Sequence, residues 1–298
     1  MINTTFVKKN MFRKLLLIAA LAVFSFQAAA QPNNSLLWEV SGMGLSQKSY
    51  IFGTIHMIKK QDFFITPAMV SSLEKCQYFV TEIDMNISLA QQLDLAKKMY
   101  LPETKTLRDY ISPDEYTNFS NYVIDSIGIK KSKLEKYIRL KPFFMSSILA
   151  KHIAGKIKSY EQELYKLSKK KGMLSDGLES LDFQLSLIED MPIEEQARTL
   201  VSDIQGYKKM EQQLTDMVAA YKNQDLDKLY DFIVKYGDTS PEFNESFIFK
   251  RNQNWIPKIE EKIKDHSCFI AVGAAHLPGD KGVLNMLKQK GYTVTPVK

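Results

Sequence analysis

"YIFGTIHM" (residues 50–57) and "FIAVGAAHL" (residues 269–277) lie near opposite ends of a 298-residue chain and share one pattern. Each is a run of β-branched, aromatic and small residues that reaches a glycine and, three residues later, a histidine: Gly53 with His56, and Gly273 with His276. Short apolar runs of this kind read as buried strands. In an open parallel sheet, ligands gather beyond the carboxyl ends of the strands, where loops and helix N-termini converge. Glycine at such a place lets a neighbouring group pack against the backbone. The chain has only four histidines. Two of them at matching strand ends face one crevice if the two strands share a sheet.

The flanking segments support such a sheet. "LLWEV" (36–40) precedes the first phrase across a Gly/Ser-containing turn, which predicts a hairpin. "TPAMVSSLEKC" (66–76) reads as a helix capped by Thr66 with Pro67 at its first position. "QYFVTEIDM" (77–85) is a further strand, and "SLAQQLDLAKKMYL" (88–101) a further helix. At the other end, the strand "CFIAVGAAHL" is followed by the helix "DKGVLNMLKQKG" (280–291) and the strand "YTVTPV" (292–297). Alternating strands and helices are the mark of a parallel sheet. Between these ends, about 107–267, the sequence is mostly amphipathic helix, including "SPDEYTNFSNYVIDSI" (112–127), which begins with Ser112 as cap and Pro113, and one long stretch over 193–222. A short extended piece in "MLSDGLESLDFQL" (173–185) interrupts it. The expected fold is therefore α/β, or α+β by content. A small, mostly parallel central sheet comes from the terminal βα units and is wrapped by a large helical middle.

Residues 1–30 are set apart. Lys8, Lys9, Arg13 and Lys14 precede the apolar run "LLLIAALAVFSF", and "AAAQ" offers a small-residue cleavage site after Ala30. That is the layout of a secretory signal, with an apolar run too short to span a bilayer comfortably. The expectation is an exported protein, periplasmic or secreted, with no stable membrane span after signal removal and one domain over 31–298. The formal charge of +6 is carried largely by those four basic groups. Without them the chain is near neutral, which argues against nucleic-acid binding. Cys76 and Cys268 begin two predicted strands, and a disulfide or two buried thiols are equally open.

Strand alternation places Glu82 and Asp84 on one face near the carboxyl end of "YFVTEID". Two imidazoles and one or two carboxylates at one sheet end suit a divalent ion such as zinc, manganese or cobalt. Glu179 in "DGLES" is a candidate third ligand or general base. Arg251 and Asn252, in "FKRNQNW" on a helix, could polarise a carbonyl, although Arg251 could equally form a structural ion pair with Glu179. His152 and His266 lack such a context and read as structural or solvated.

Together, the two Gly-x-x-His phrases, the acidic strand between them, "GLE" followed by Gln184, and "RN" on a helix before the second phrase resemble the TraB/GumN family. That family is related to the TIKI proteases and more distantly to the erythromycin-esterase and ChaN-like folds. "GAAH" stands where relatives often carry "GAGH". The resemblance implies a four-stranded, largely parallel sheet with a pseudo-repeat. Its TIKI branch implies metal-dependent peptide cleavage using His56, His276 and Glu82, with Glu179, Arg251 and Asn252 in support. Fold alone does not settle activity.

The leading expectation is an exported metal-dependent hydrolase, a peptidase acting on a peptide or small secreted substrate. His56, Glu82 and His276 would hold the ion, Glu179 or Asp84 would deprotonate a water, and Arg251 with Asn252 would steady the oxyanion. Two alternatives stand beside it: a protein that sequesters a peptide or small ligand without turnover, and a metal-independent esterase.

Overall fold

The strands of the computed structural model, which describes residues 34–235 and 240–298, are β1 (Leu37–Ser41), β2 (Ser49–Thr54), β3 (Ile58–Lys59), β4 (Tyr78–Ile83), β5 (Ile157–Lys158), β6 (Leu174–Glu179), β7 (Cys268–Gly273) and β8 (Thr293–Val297). The expected signal segment lies outside the described residues. Six strands form one sheet in the order β6-β4-β7-β2-β1-β8, and β3 pairs with β5 apart from it. β2, β7, β4 and β6 run parallel to one another, whereas β1 is antiparallel to β2 and to β8. Four adjacent strands therefore deliver their carboxyl ends to one side.

The sheet is wider than the four strands expected. Those four are present as the parallel set, and the predicted hairpin and the C-terminal strand extend it by β1 and β8. The short extended piece expected within the helical middle is β6, which lies at the edge of the sheet. The chain ends are interleaved: β7 from the C-terminal end inserts between β2 and β4 from the N-terminal end. That insertion puts the two Gly-x-x-His strands side by side, with Gly53 opposite Val272 and Thr54 opposite Gly273. Every residue of β2 and of β7 is buried. Burial on both faces is why these strands read as continuous apolar runs rather than alternating ones.

The predicted caps fold as the sequence reads. Thr66 accepts from the Met69 amide ahead of the helix Pro67–Glu74, and Ser112 accepts from Glu115 ahead of Pro113–Asn121. The long helix expected over 193–222 is instead two, Ile193–Gln205 and Tyr207–Lys222, which meet at Gly206. Glycine is a poor helix former, and here it marks the break. One apolar core surrounds the sheet, including Phe52, Phe79, Trp255 and Phe269. A second lies among the helices of the middle, around Phe119, Met145, Leu149 and Leu200. Cys76 and Cys268 are both free and buried, and burial pushes each thiol up to about 12. No helix of the described residues is long and apolar enough to cross a membrane.

Candidate functional site

Beyond the carboxyl ends of β4, β6 and β7, a buried polar cluster is organised around Arg251. The helix Lys250–Asp265 buries Arg251, Asn252 and Trp255 together, because Trp255 lies four positions after Arg251 and three after Asn252, spacings that share a helix face. The Arg251 Nη2 donates to Glu82 Oε2 and, at 2.6 Å, to Glu179 Oε1; Nε donates to Glu179 Oε1 at 3.0 Å. Nη1 donates to the Phe247 carbonyl at 2.8 Å and faces His276 Nε2 at 3.3 Å. All five N–H groups of the guanidinium are thus used. Its plane also lies over the Trp255 ring, 4.8 Å from the centroid.

Both carboxylates are equally occupied. Glu82 Oε1 accepts from the Gly273 amide at 2.9 Å, and its Oε2 accepts from Gln184 at 3.0 Å as well as from Arg251. Glu179 accepts from Gln184 at 2.8 Å and from the Trp255 indole at 2.9 Å. Burial opposes ionisation of Glu82, but the surrounding His276, Arg251 and His56 and the Gly273 amide hold its carboxyl well below the usual range. Since His276 is itself neutral, the formal positive charges beside Glu82 are the Arg251 guanidinium and the His56 imidazolium.

The neutrality of His276 follows from its surroundings. Its ring is buried 4.4 Å from the Trp255 ring, and burial pushes its pKa down to about 3 despite the nearby Glu82. Its tautomer follows from Asn252, which is fully buried. Asn252 Nδ2 donates to the His276 carbonyl at 3.2 Å and the Lys281 carbonyl at 2.8 Å, so its Oδ1 is turned to His276 Nδ1, 2.7 Å away. An oxygen there requires Nδ1 to carry the proton, leaving a lone pair on Nε2. That lone pair lies 3.9 Å from Glu82 Oε1.

His56 reaches the same place from β2 but is held differently. Its side chain is 66% exposed, and Nδ1 pairs with Glu161 Oε1 at 2.8 Å. Glu161 opens the helix Tyr160–Lys170 and also accepts from Thr54 at 2.5 Å and Ser159 at 2.6 Å. Packing around the ring disfavours its charge, but the hydrogen bond and charge of Glu161 outweigh this and raise His56 to about 9. Nothing in "SYEQEL" distinguished Glu161 from any other acid in the first turn of a helix.

Gly273 is the meeting point. A Cβ placed on it would lie 3.3 Å from Glu82 Oε1, 3.4 Å from His276 Cδ2 and 3.7 Å from His56 Nε2. The structure thus brings Glu82, Glu179, Arg251, Asn252 and His276 into one network, with His56 at its solvent side. Asp84 is elsewhere: its Oδ1 accepts from Ser175 at 2.8 Å and from the Asn86 amide at 3.0 Å. The chain after β4 folds back over Gly177, where a Cβ would lie 2.6 Å from the Asp84 nitrogen. Outside the cluster, His152 bonds its own helix at the Ile148 carbonyl, and His266 packs on Tyr78.

The donor chemistry suits a divalent cation. Both histidines have Nδ1 tied to an oxygen, the usual support for an Nε2 that ligates. Glu82 and Glu179 face the one Arg251 guanidinium, while Glu161 pairs with His56. Among the described residues no three such side chains already stand together around one ion position.

The TraB/PrgY/gumN family is matched by residues 36–296, nearly the whole described chain, and the chain belongs to that family. No curated protein and no solved structure matches it.

Proposed function

We propose that this member of the TraB/PrgY/gumN family is an exported, metal-dependent hydrolase that cleaves a peptide or small secreted substrate. The observation that carries the reading is the convergence around Gly273 of His56 Nε2, the His276 ring and Glu82 Oε1, with the Nδ1 of each histidine and the Glu82 carboxylate backed by a partner of its own. His56, Glu82 and His276 would hold zinc, manganese or cobalt; when bound, the ion would polarise a carbonyl or lower the pKa of a water. Metal binding would also release the Nε2 proton of His56.

The chain's other groups position rather than react. Arg251 keeps Glu82 ionised and aimed at the site, Glu179 and Gln184 hold Arg251 and Glu82 in register, and Asn252 fixes the His276 tautomer. Every hydrogen-bonding atom of Asn252 is engaged, so it has no donor left for an oxyanion, and four of the five Arg251 N–H groups are held by Glu82, Glu179 and the Phe247 carbonyl; the fifth, on Nη1, faces His276 Nε2 and would be released if that nitrogen took a metal. Glu179, which accepts from Arg251, Gln184 and Trp255, is likewise a support rather than a free base.

The test is elemental analysis of the purified protein beside His56→Ala, His276→Ala and the double variant, with a peptide-cleavage assay. Wild type should carry zinc, manganese or cobalt and turn over, and the double variant should do neither. Full metal content in the double variant would remove the ligand assignment. Turnover untouched by a chelator would point instead to a metal-independent esterase, and stoichiometric binding without product to a sequestering protein.

A further inference from the structure

The polar cluster opens onto an apolar cavity of about 300 Å³, within the size range of ligand pockets. Beside His56, Gly273 and His276, its walls are Met57, Ala150, Ala154, Leu214, Met217 and Leu229. The helices Pro142–Ala154 and Tyr207–Lys222 face the ends of β2 and β7 across it. Met57, Ala154 and Leu214 also line a second cavity of about 320 Å³, which continues past Glu211, Thr215 and the Lys222–Asp62 ion pair. Ala154, Lys59 and Gln61 line a third, about 450 Å³, edged by Lys60 and Lys156. Through these shared residues the three cavities adjoin along one groove-like face, apolar at the histidines and lined by lysines at its far end.

The basic end is held in place. Lys60 donates its amide to the Lys156 carbonyl at 2.8 Å, and β3 and β5 pair Lys59 with Ile157. Among the described residues Lys59, Lys60 and Lys156 have no carboxylate partner, whereas Lys158 and Lys222 are each paired with an acid at 2.8 Å. Three unpaired ammonium groups at one end of an apolar groove are complementary to an anion. Lys59 follows His56 by three residues, so at most about 11 Å of backbone separates them, the span of about three extended residues.

We propose that this groove binds an extended peptide, with an apolar side chain seated beside His276 and a carboxylate about three residues away meeting Lys59, Lys60 and Lys156. The shared chemistry is a carboxylate, either the free C-terminus or an acidic side chain. The proposal rests on the reading above for the place of the reacting bond, and its test does not need turnover. Fluorescein-labelled hexapeptides of leucine and alanine would be titrated into the purified protein by anisotropy: a free acid, its C-terminal amide, and an amide ending in aspartate.

The free acid should bind about tenfold more tightly than the plain amide, as expected for a charge-assisted contact. Recovery of affinity by the aspartyl amide would assign any carboxylate, and no recovery would assign the terminal one. In Lys59→Glu/Lys60→Glu/Lys156→Glu the preference should disappear, and in wild type it should shrink as salt is raised. Equal binding of acid and amide by wild type, or a preference retained in the triple variant, would overturn the groove assignment. A protein that shows the preference but never cleaves would instead defeat the hydrolase reading and leave the groove standing.

Discussion

The two Gly-x-x-His segments are alike in sequence and adjacent in the sheet, yet the structure gives them opposite surroundings. After β7, His276 is buried, neutral and locked by the amide of Asn252; after β2, His56 is exposed, charged and paired with the carboxylate of Glu161. The glycines differ as well. Gly53 makes room for the turn that follows β7, since a Cβ there would lie 2.9 Å from Leu277 Cδ1 and 3.1 Å from the Ala274 Cα. Gly273 makes room for the side chains of the site. A sequence repeat can thus encode two strands of one sheet and still assign one half to preorganisation and the other to adaptation.

The largest expected effect comes from removing what fixes the buried half. Arg251→Met would leave Glu82 and Glu179 buried without their cation, and breaking a buried pair in this way costs about 3–5 kcal/mol. Urea unfolding should show that loss, whereas His56→Ala should change the midpoint little, because an exposed ion pair contributes at most about 1 kcal/mol. Equal losses would mean that the two halves are not energetically distinct.

The glycines give a second, finer contrast. Gly53→Ala forces a methyl against backbone and should destabilise by about 1–3 kcal/mol, the usual range for overpacking. Gly273→Ala requires its neighbours to give by only a few tenths of an ångström, but it fills the space between Glu82, His276 and His56. Its expected phenotype is near-normal thermal stability with metal uptake and turnover lost. The reverse pattern would show that Gly273 serves packing and Gly53 the site.

These assignments were only partly legible in the sequence. The terminal strands, the hairpin, the Thr66 and Ser112 caps, and the placement of Arg251 and Asn252 on one helix follow from local patterns that the structure keeps. The insertion of β7 between β2 and β4 does not, because strand order is set by long-range packing that no local period records. Asp84 looked equivalent to Glu82 by alternation, but alternation holds only while a strand continues, and β4 ends at Ile83. Glu161 was invisible for a related reason: its partner His56 is 105 residues away, and only the fold brings them together.

The smallest expected effect tests the adaptable half directly. Glu161 is held down to about 2: burial opposes its ionisation, but the hydrogen bond and charge of His56 prevail, with help from Ser159 and Thr54. Its contribution to stability is therefore present above its ordinary value of 4.5 and is lost as pH falls through about 2. His56 works the other way: its contribution is complete below 6.5 and is lost as pH rises through about 9. His276, lowered to about 3, contributes above 6.5 and loses that contribution as pH falls toward 3. In Glu161→Gln, the NMR titration midpoint of His56 should move from near 9 toward 6.5, and the fall in stability between those pH values should flatten. His276 should remain neutral throughout, since Asn252 and Trp255 rather than Glu161 surround it. A His56 midpoint unmoved by Glu161→Gln would show that the exposed imidazole draws its charge from Glu82 instead. The two halves would then be one coupled titration rather than two separate ones.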